Sequence, residues 1–172
     1  MKLTSPDAEY KMIIIGYYQI CGGIIGLLLT LRVLIYEPAL SGLAFLMYFV
    51  ALGLYVFSVY AGNLMRKENI KGITLTRWNQ FLQMVQFSIS FLGFIYVSSV
   101  YFNFGFDWTD VFKLNFNIGI SVWNFRYTEN DTNHFSIFIN IIPFLILYWL
   151  GNIDTIIEER KQLIEDAKER VI

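Results

Sequence analysis

Carboxamide side chains recur in one uncharged stretch of the chain, at a spacing that places them on one face of a helix. Asn79, Gln83, Gln86 and Ser90 follow one another at intervals of four, three and four residues. Carboxamides donate and accept hydrogen bonds but carry no charge. The stripe therefore predicts hydrogen bonding between helices or, alternatively, a polar groove open to the cytoplasm for a small ligand or ion.

Groups suited to acid–base, nucleophilic or metal chemistry are scarce. The chain has one histidine, His134, in a polar stretch that predicts a turn, and one cysteine, Cys21, inside an apolar run. Neither can complete an ordinary metal site or a catalytic triad. The sequence also lacks the glycine-rich motifs that bind phosphates. We therefore expect no cofactor, no bound metal and no enzymatic activity.

Long apolar stretches without charge dominate the chain: Met12–Leu31, Ala39–Met65, Trp78–Phe106 and Phe135–Ile153. A helix rises about 1.5 Å per residue, so each stretch is long enough to cross a hydrocarbon core of about 30 Å. Charged residues make up 16% of the chain, against about 25% in soluble domains. We expect one all-α integral membrane domain over residues 1–172, with four transmembrane helices at about 12–36, 39–64, 77–103 and 140–158.

Basic residues set the expected orientation in the membrane. Of the thirteen Lys and Arg, the leader holds two, the connection after the second span four and the tail four, so the two remaining connections hold three. Basic residues favour the cytoplasmic side. We therefore expect both termini, and the connection after the second span, to lie in the cytoplasm. The net charge of −1 gives no indication of a nucleic-acid partner.

Small residues four positions apart occur in the first two predicted spans. They are Gly22 with Gly26 and Ser58 with Gly62. Such pairs allow two helices to approach closely, so these positions are the candidate helix-packing sites.

Apolar and polar residues alternate between Phe112 and Val122, which predicts a strand with two different faces. We expect an extracytoplasmic β-hairpin at about 112–140, with strands 112–127 and 134–140. Its apolar face must be covered by helix ends, lipid or a partner, and its free edge offers a site for a partner strand. The polar face is the candidate recognition face, formed by Asn115, Asn117, Ser121 and Asn124.

Residues Phe135–Asn140 fit a strand or the start of the fourth helix. The strand is favoured because Pro143 suits the first turn of a helix and not its interior. After the fourth span, residues 158–172 predict an amphipathic cytoplasmic helix.

The segment Lys71–Thr76, followed by Asn79, Gln80, Leu82 and Gln83, resembles an uncharacterised family of small bacterial four-span membrane proteins. The resemblance implies no activity and gives no residue a role.

Together with this resemblance, these observations favour a non-enzymatic accessory or assembly subunit that spans the lipid bilayer of a bacterial cytoplasmic (inner) membrane several times and acts through protein contacts. Its partner is another protein or a second copy of the chain. The alternative is a small oligomeric pore or translocator lined by the polar face of the third span, and a third hypothesis is an enzyme that acts on a lipid. The accessory and pore roles differ in whether that face is sealed inside the molecule or lines a cavity.

Overall fold

The described part of the chain contains four helices and four strands, and the strands lie between the third and fourth helices. The computed structural model describes residues 4–36, 42–108, 111–127 and 135–169. The helices are α1 (Pro6–Tyr36), α2 (Gly42–Arg66), α3 (Ile70–Met84) and α4 (Ile142–Glu169). The strands are β1 (Val85–Ile89), β2 (Leu92–Trp108), β3 (Phe112–Tyr127) and β4 (Phe135–Asn140), in one antiparallel sheet. The expectation of an all-α protein with four transmembrane helices is therefore wrong.

Two helices in the described part of the chain, α1 and α2, are long and apolar enough to cross a membrane. They correspond to the spans expected at 12–36 and 39–64. Their most apolar windows have mean hydropathies of 2.0 and 2.1, and 39% and 17% of those windows is buried within the protein. Most residues of these two windows are therefore partly or fully exposed in the described structure.

The third span expected at 77–103 is not a helix beyond Met84. The chain leaves α3 there and continues as β1 and β2. The residues that follow include Val85, Phe87 and Ile89, and β-branched and aromatic side chains favour strands. The absence of charged residues from Trp78 to Phe106 led us to expect a third span. An uncharged stretch, however, fits a strand as well as a helix.

The fourth expected span is also wrong, because the apolar part of α4 is too short. The helix begins at Ile142, with Pro143 in its first turn, and its first charged residue is Asp154. This apolar part is about 18 Å long. The helix then continues to Glu169, as expected for a tail helix that continues the fourth one. Residues 170–172 of the expected tail helix lie outside the described residues. The strand interpretation of Phe135–Asn140 agrees with β4.

The expected hairpin between 112–127 and 134–140 does not form, although both segments are strands. β3 pairs with β2, from Trp108 opposite Phe112 to Leu92 opposite Tyr127. β4 pairs with β1 and with the second half of β2. Since β1 also pairs with the start of β2, strands β1, β4 and β2 form a closed circuit of pairings, and β3 lies at the edge.

The closed circuit requires β2 to bend sharply in its middle. The β2–β3 register shifts between Val97 and Val100, which is a β-bulge. Ser99 has a positive φ of 138° and Ser121, on the facing strand, one of 40°. A bulge bends its strand and increases the local twist, which allows the two halves of β2 to pair with different neighbours.

Two apolar clusters lie along the antiparallel α1–α2 pair. One joins the N-terminal part of α1 and the end of α2 to α3 and α4, through residues such as Met12, Met65 and Leu150. The other joins α2 to the sheet through Tyr55 and Tyr96. The helical bundle and the sheet thus occupy opposite ends of the same helix pair.

Candidate functional site

A cluster of uncharged polar side chains is buried where the helices meet the sheet. Its members, called the polar cluster below, are each at most 3% exposed: Gln19, Ser58, Asn79, Gln83, Gln86, Ser98 and Asn103. Three residues of the expected helical stripe, Asn79, Gln83 and Gln86, belong to it. The fourth, Ser90, does not, because it lies in the turn between β1 and β2 and is half-buried.

Ser58 connects four elements through its hydroxyl group. Its Oγ accepts hydrogen bonds from Asn79 Nδ2 at 3.0 Å and from Ser98 Oγ at 2.6 Å. It donates to the main-chain oxygen of Gln19 at 3.3 Å. A serine predicted to be a small packing residue is therefore the junction between α1, α2, α3 and β2.

The carboxamide of Gln83 ties α3 to the bulge in β2. Its Oε1 accepts a hydrogen bond of 2.8 Å from the main-chain N–H of Ser98. Its Nε2 donates to the main-chain oxygen of Asn79 at 3.1 Å. A buried N–H without a partner is costly, so Gln83 stabilises a part of β2 in which the regular strand pairing is interrupted.

Gln86 and Asn103 bind each other through both of their carboxamide groups. Gln86 Nε2 donates to Asn103 Oδ1 at 3.0 Å, and Asn103 Nδ2 donates to Gln86 Oε1 at 2.8 Å. The pair links β1 to β2 inside the closed circuit. Asn103 and Ser98 were not among the expected site residues, although polar residues in an uncharged apolar stretch are the signal that identifies them.

Three further buried carboxamides have atoms without a hydrogen-bond partner in the described structure. They are both polar atoms of Gln80, Nε2 of Gln19 and Nδ2 of Asn140. Gln19 Oε1 accepts a long hydrogen bond of 3.4 Å from Thr76. Asn140 Oδ1 accepts from the main-chain N–H of Phe102 and of Ile142, and so caps α4 and holds β2.

The candidate packing glycines lie at close contacts, but not all between helices. A Cβ added at Gly22 would overlap Ser99 in the β2 bulge, and one at Gly26 would overlap the ring of Tyr55. At Gly62 an added Cβ would lie 2.7 Å from the main-chain oxygen of Gly16. Gly26 and Gly62 thus serve the α1–α2 contact, whereas Gly22 admits a strand.

In β1, β4 and the second half of β2, apolar side chains face outward and polar ones face inward, whereas on β3 the polar Lys113 and Asn117 are exposed as well. In the β2–β3 ribbon, the outward row, called the outer sheet face below, is exposed: Val100, Phe104, Trp108, Phe112, Leu114, Phe116, Ile118 and Ile120. The opposite face carries Asn103, Gly105 and Tyr101, which are buried. This order is the reverse of that in a water-soluble sheet, which covers its apolar face.

The expected recognition face is divided between surface and interior. Asn117 and Asn124 are exposed and Asn115 is half-buried, whereas Ser121 is 3% exposed. Ser121 Oγ donates to the main-chain oxygen of Gly22 at 2.8 Å. The structure therefore does not bring these four residues together on one open surface.

Neutral hydrogen bonding is the chemistry that the polar cluster offers. Its members are amides and hydroxyls, and the described residues include no group of three or more His, Cys, Asp or Glu placed to hold a metal ion. Comparisons with protein-family models, with curated proteins and with solved structures find no match. The resemblance expected from the 71–83 segment therefore stays a prediction.

Proposed function

We propose that the protein is embedded in a membrane through both its helices and its sheet. The observation that carries this proposal is the reversed arrangement of the molecule, with the polar cluster inside and the outer sheet face outside. Hydrocarbon favours apolar surface and cannot satisfy polar groups. An apolar exterior and a polar interior, on helices and strands alike, suit a membrane. In water, the same arrangement would expose a large apolar surface.

The contacts between sheet and α1 support embedding of the sheet itself. The Tyr18 hydroxyl donates to the main-chain oxygen of Val100 at 2.7 Å, and Ser99 Oγ donates to that of Tyr18 at 2.7 Å. Tyr18 lies within the uncharged stretch Met12–Leu31. If α1 crosses the hydrocarbon core, the middle of β2 lies beside it at the same depth.

The charges near the helix ends favour an orientation. Arg160 donates to the main-chain oxygen of Thr4 at 2.6 Å, so α4 and the start of α1 meet at one end of the molecule. The connection from α2 to α3 lies at that end too, since Met65 packs in the same apolar cluster as Met12. Its basic residues are Arg66 at the end of α2, Lys67 in the turn and Lys71 at the start of α3. Because basic residues favour the cytoplasmic side, we place this end, with both termini, in the cytoplasm of a bacterium.

Within that membrane, we propose a non-enzymatic accessory or assembly role through contacts with other proteins. The second half of α4 supports it, because residues 158–169 are exposed except for Arg160 and Ile164, which are half-buried. Leu163 is 58% exposed there. A charged helix that projects from the bundle with an exposed leucine offers a docking surface on the cytoplasmic side.

The pore alternative has less support from the geometry. It requires the face formed by Asn79, Gln83 and Gln86 to line a passage. Those carboxamides are at most 1% exposed and bond to groups of the same chain. Because these carboxamides are already hydrogen-bonded within one molecule, they leave no polar face to line a pore between copies.

Alkaline carbonate extraction and cysteine labelling test the membrane proposal. In a Cys21→Ala background, Tyr36→Cys at the end of α1 and Glu169→Cys at the end of α4 report on opposite ends of the molecule. We expect the chain to stay with the membranes, and an impermeant maleimide to reach Cys at 36 from outside intact cells and Cys at 169 after lysis alone. Release by carbonate, or equal labelling of both, contradicts the proposal.

The contact role is tested by affinity purification in mild detergent. Leu163→Glu should remove the proteins that co-purify with the wild-type chain, whereas Lys161→Glu, which adds the same acidic group to a neighbouring exposed position, should keep them. An unchanged set of co-purifying proteins in both variants contradicts a docking role for this part of α4.

A further inference from the structure

The edge of the sheet at β3 has main-chain groups that the described structure does not pair. Within residues 4–36, 42–108, 111–127 and 135–169, β3 pairs with β2 and with no other strand. Near Ser121 the strand packs against α1. From Phe112 to Ile120 its apolar side chains are more than half exposed, with Ile118 reaching 70%.

An open edge of this kind is incompatible with hydrocarbon. Ile120 lies opposite Val100, whose oxygen bonds Tyr18 in the uncharged part of α1. On the membrane proposal, this end of the edge therefore lies inside the lipid. Hydrocarbon offers no partner to an unpaired main-chain N–H or C=O, and lipid-exposed sheet edges do not occur. Another strand must pair with the edge.

The sequence of β3 fits a second copy of itself. If two strands run antiparallel about a two-fold axis at Phe116, then Phe112 lies opposite Ile120 and Leu114 opposite Ile118. On the other face, Asn115 lies opposite Asn117, and Lys113 opposite Gly119. No like charges meet in this register, apolar residues face apolar residues, and amides face amides, which are the favourable cross-strand combinations.

We propose that two copies of the chain pair through Phe112–Ile120 of β3, antiparallel and in this register, to form one continuous sheet within the membrane. The paired edge is about 30 Å long. A two-fold interface uses the same patch on both copies, which an alternating strand provides. The proposal rests on the embedding of the sheet, and its test separates the two.

Disulfide cross-linking in native membranes measures the pairing and its register. In the Cys21→Ala background, Phe116→Cys should form a disulfide dimer on oxidation, because directly opposed strand residues have Cβ atoms within about 5.5 Å. When differently tagged copies are co-expressed, Leu114→Cys should cross-link to Ile118→Cys several-fold more than to a second Leu114→Cys. Leu145→Cys, exposed on α4, gives the rate of random collision.

The outcomes distinguish the pairing from the embedding. In one outcome, the chains resist carbonate extraction, but Phe116→Cys forms no more disulfide dimer than Leu145→Cys does. This outcome overturns the strand pairing and leaves the membrane proposal standing. Chains released by carbonate contradict the membrane proposal, and their cross-linking is then measured in solution, where Phe116→Cys dimers still support pairing and their absence overturns it. Cross-linking of Leu114→Cys to itself as readily as to Ile118→Cys shows that the register is wrong.

Discussion

At the scale of single residues, most members of the polar cluster satisfy each other's hydrogen bonds, whereas Gln19 Nε2 has no partner in the described structure. Ser58 has both acceptor positions and its donor in use. Removal of one member leaves its partners buried without hydrogen bonds, which costs the desolvation of each. The stability of the cluster therefore depends on each member keeping its partner. Replacing two partners together should cost less unfolding free energy than the sum of the two single replacements.

Ser58→Ala tests this dependence. The variant leaves Asn79 Nδ2 and Ser98 Oγ without an acceptor, and we expect a loss of about 1–3 kcal/mol in the free energy of unfolding. Ser90→Ala, in the half-buried turn, should change it by less than about 0.5 kcal/mol. Thermal unfolding in one detergent compares them, and equal melting temperatures contradict the role of Ser58.

The reciprocal pair of Gln86 and Asn103 allows a double-mutant cycle. Gln86→Leu or Asn103→Leu alone should destabilise the protein by about 1–3 kcal/mol, since each leaves a buried carboxamide unpaired. The double variant should lose less than the sum of the two, because it removes both polar groups. Strictly additive losses of unfolding free energy would show that the two side chains do not interact.

At the scale of elements, the bulge in β2 requires a glycine on α1. Ser99 sits against Gly22, and its main chain leaves no space for a methyl group. Gly53, on an exposed part of α2, has no neighbour within 4 Å of an added Cβ. We therefore expect substitution by alanine to change the stability of the protein in opposite directions at Gly22 and Gly53.

Gly22→Ala should lower stability by about 1–3 kcal/mol through overpacking against the strand, more than the ~1 kcal/mol that alanine gains in a helix. Gly53→Ala should raise stability by up to ~1 kcal/mol. Melting temperatures in the same detergent measure both. A rise in both variants would show that β2 does not approach α1 as closely as Gly22 indicates.

The elements also show what the sequence can predict. Hydropathy identified α1 and α2, and alternation identified the segments of β3 and β4. The change from α3 to β1 was missed because the spacing of Asn79, Gln83 and Gln86 suits a helix, while a short apolar run suits both structures. The pairing of β3 with β2 was missed because strand partners are not local in sequence, so a nearby polar turn favoured the wrong hairpin.

At the scale of the whole molecule, the polar interior and the apolar exterior have one origin. The helices α1, α2 and α3 direct polar side chains toward β1 and β2, so the polar sides of these five elements meet at the polar cluster. The apolar sides are then left outward. Part of the candidate site was predictable, namely Asn79 and Gln83 on α3 and Gln86 on β1. Its closure by Ser58, Ser98 and Asn103 depends on tertiary contacts.

The surroundings of the outer sheet face decide how the molecule responds to a charge there. Ile118 is 70% exposed, so replacement by Asp removes little packing within the chain, and pairing at the strand edge leaves the face open. In water, Ile118→Asp should be neutral to within about 0.5 kcal/mol. On the lipid-facing side of a strand, a Lys or Arg costs about 2–4 kcal/mol at the middle of the bilayer, and an Asp costs less but remains unfavourable. On the membrane proposal, we therefore expect less Ile118→Asp protein in the membrane fraction and a lower melting temperature in lipid nanodiscs. Leu163→Asp, at a comparably exposed position on α4, should match the wild type in both. Equal behaviour of the two variants would show that water surrounds the sheet.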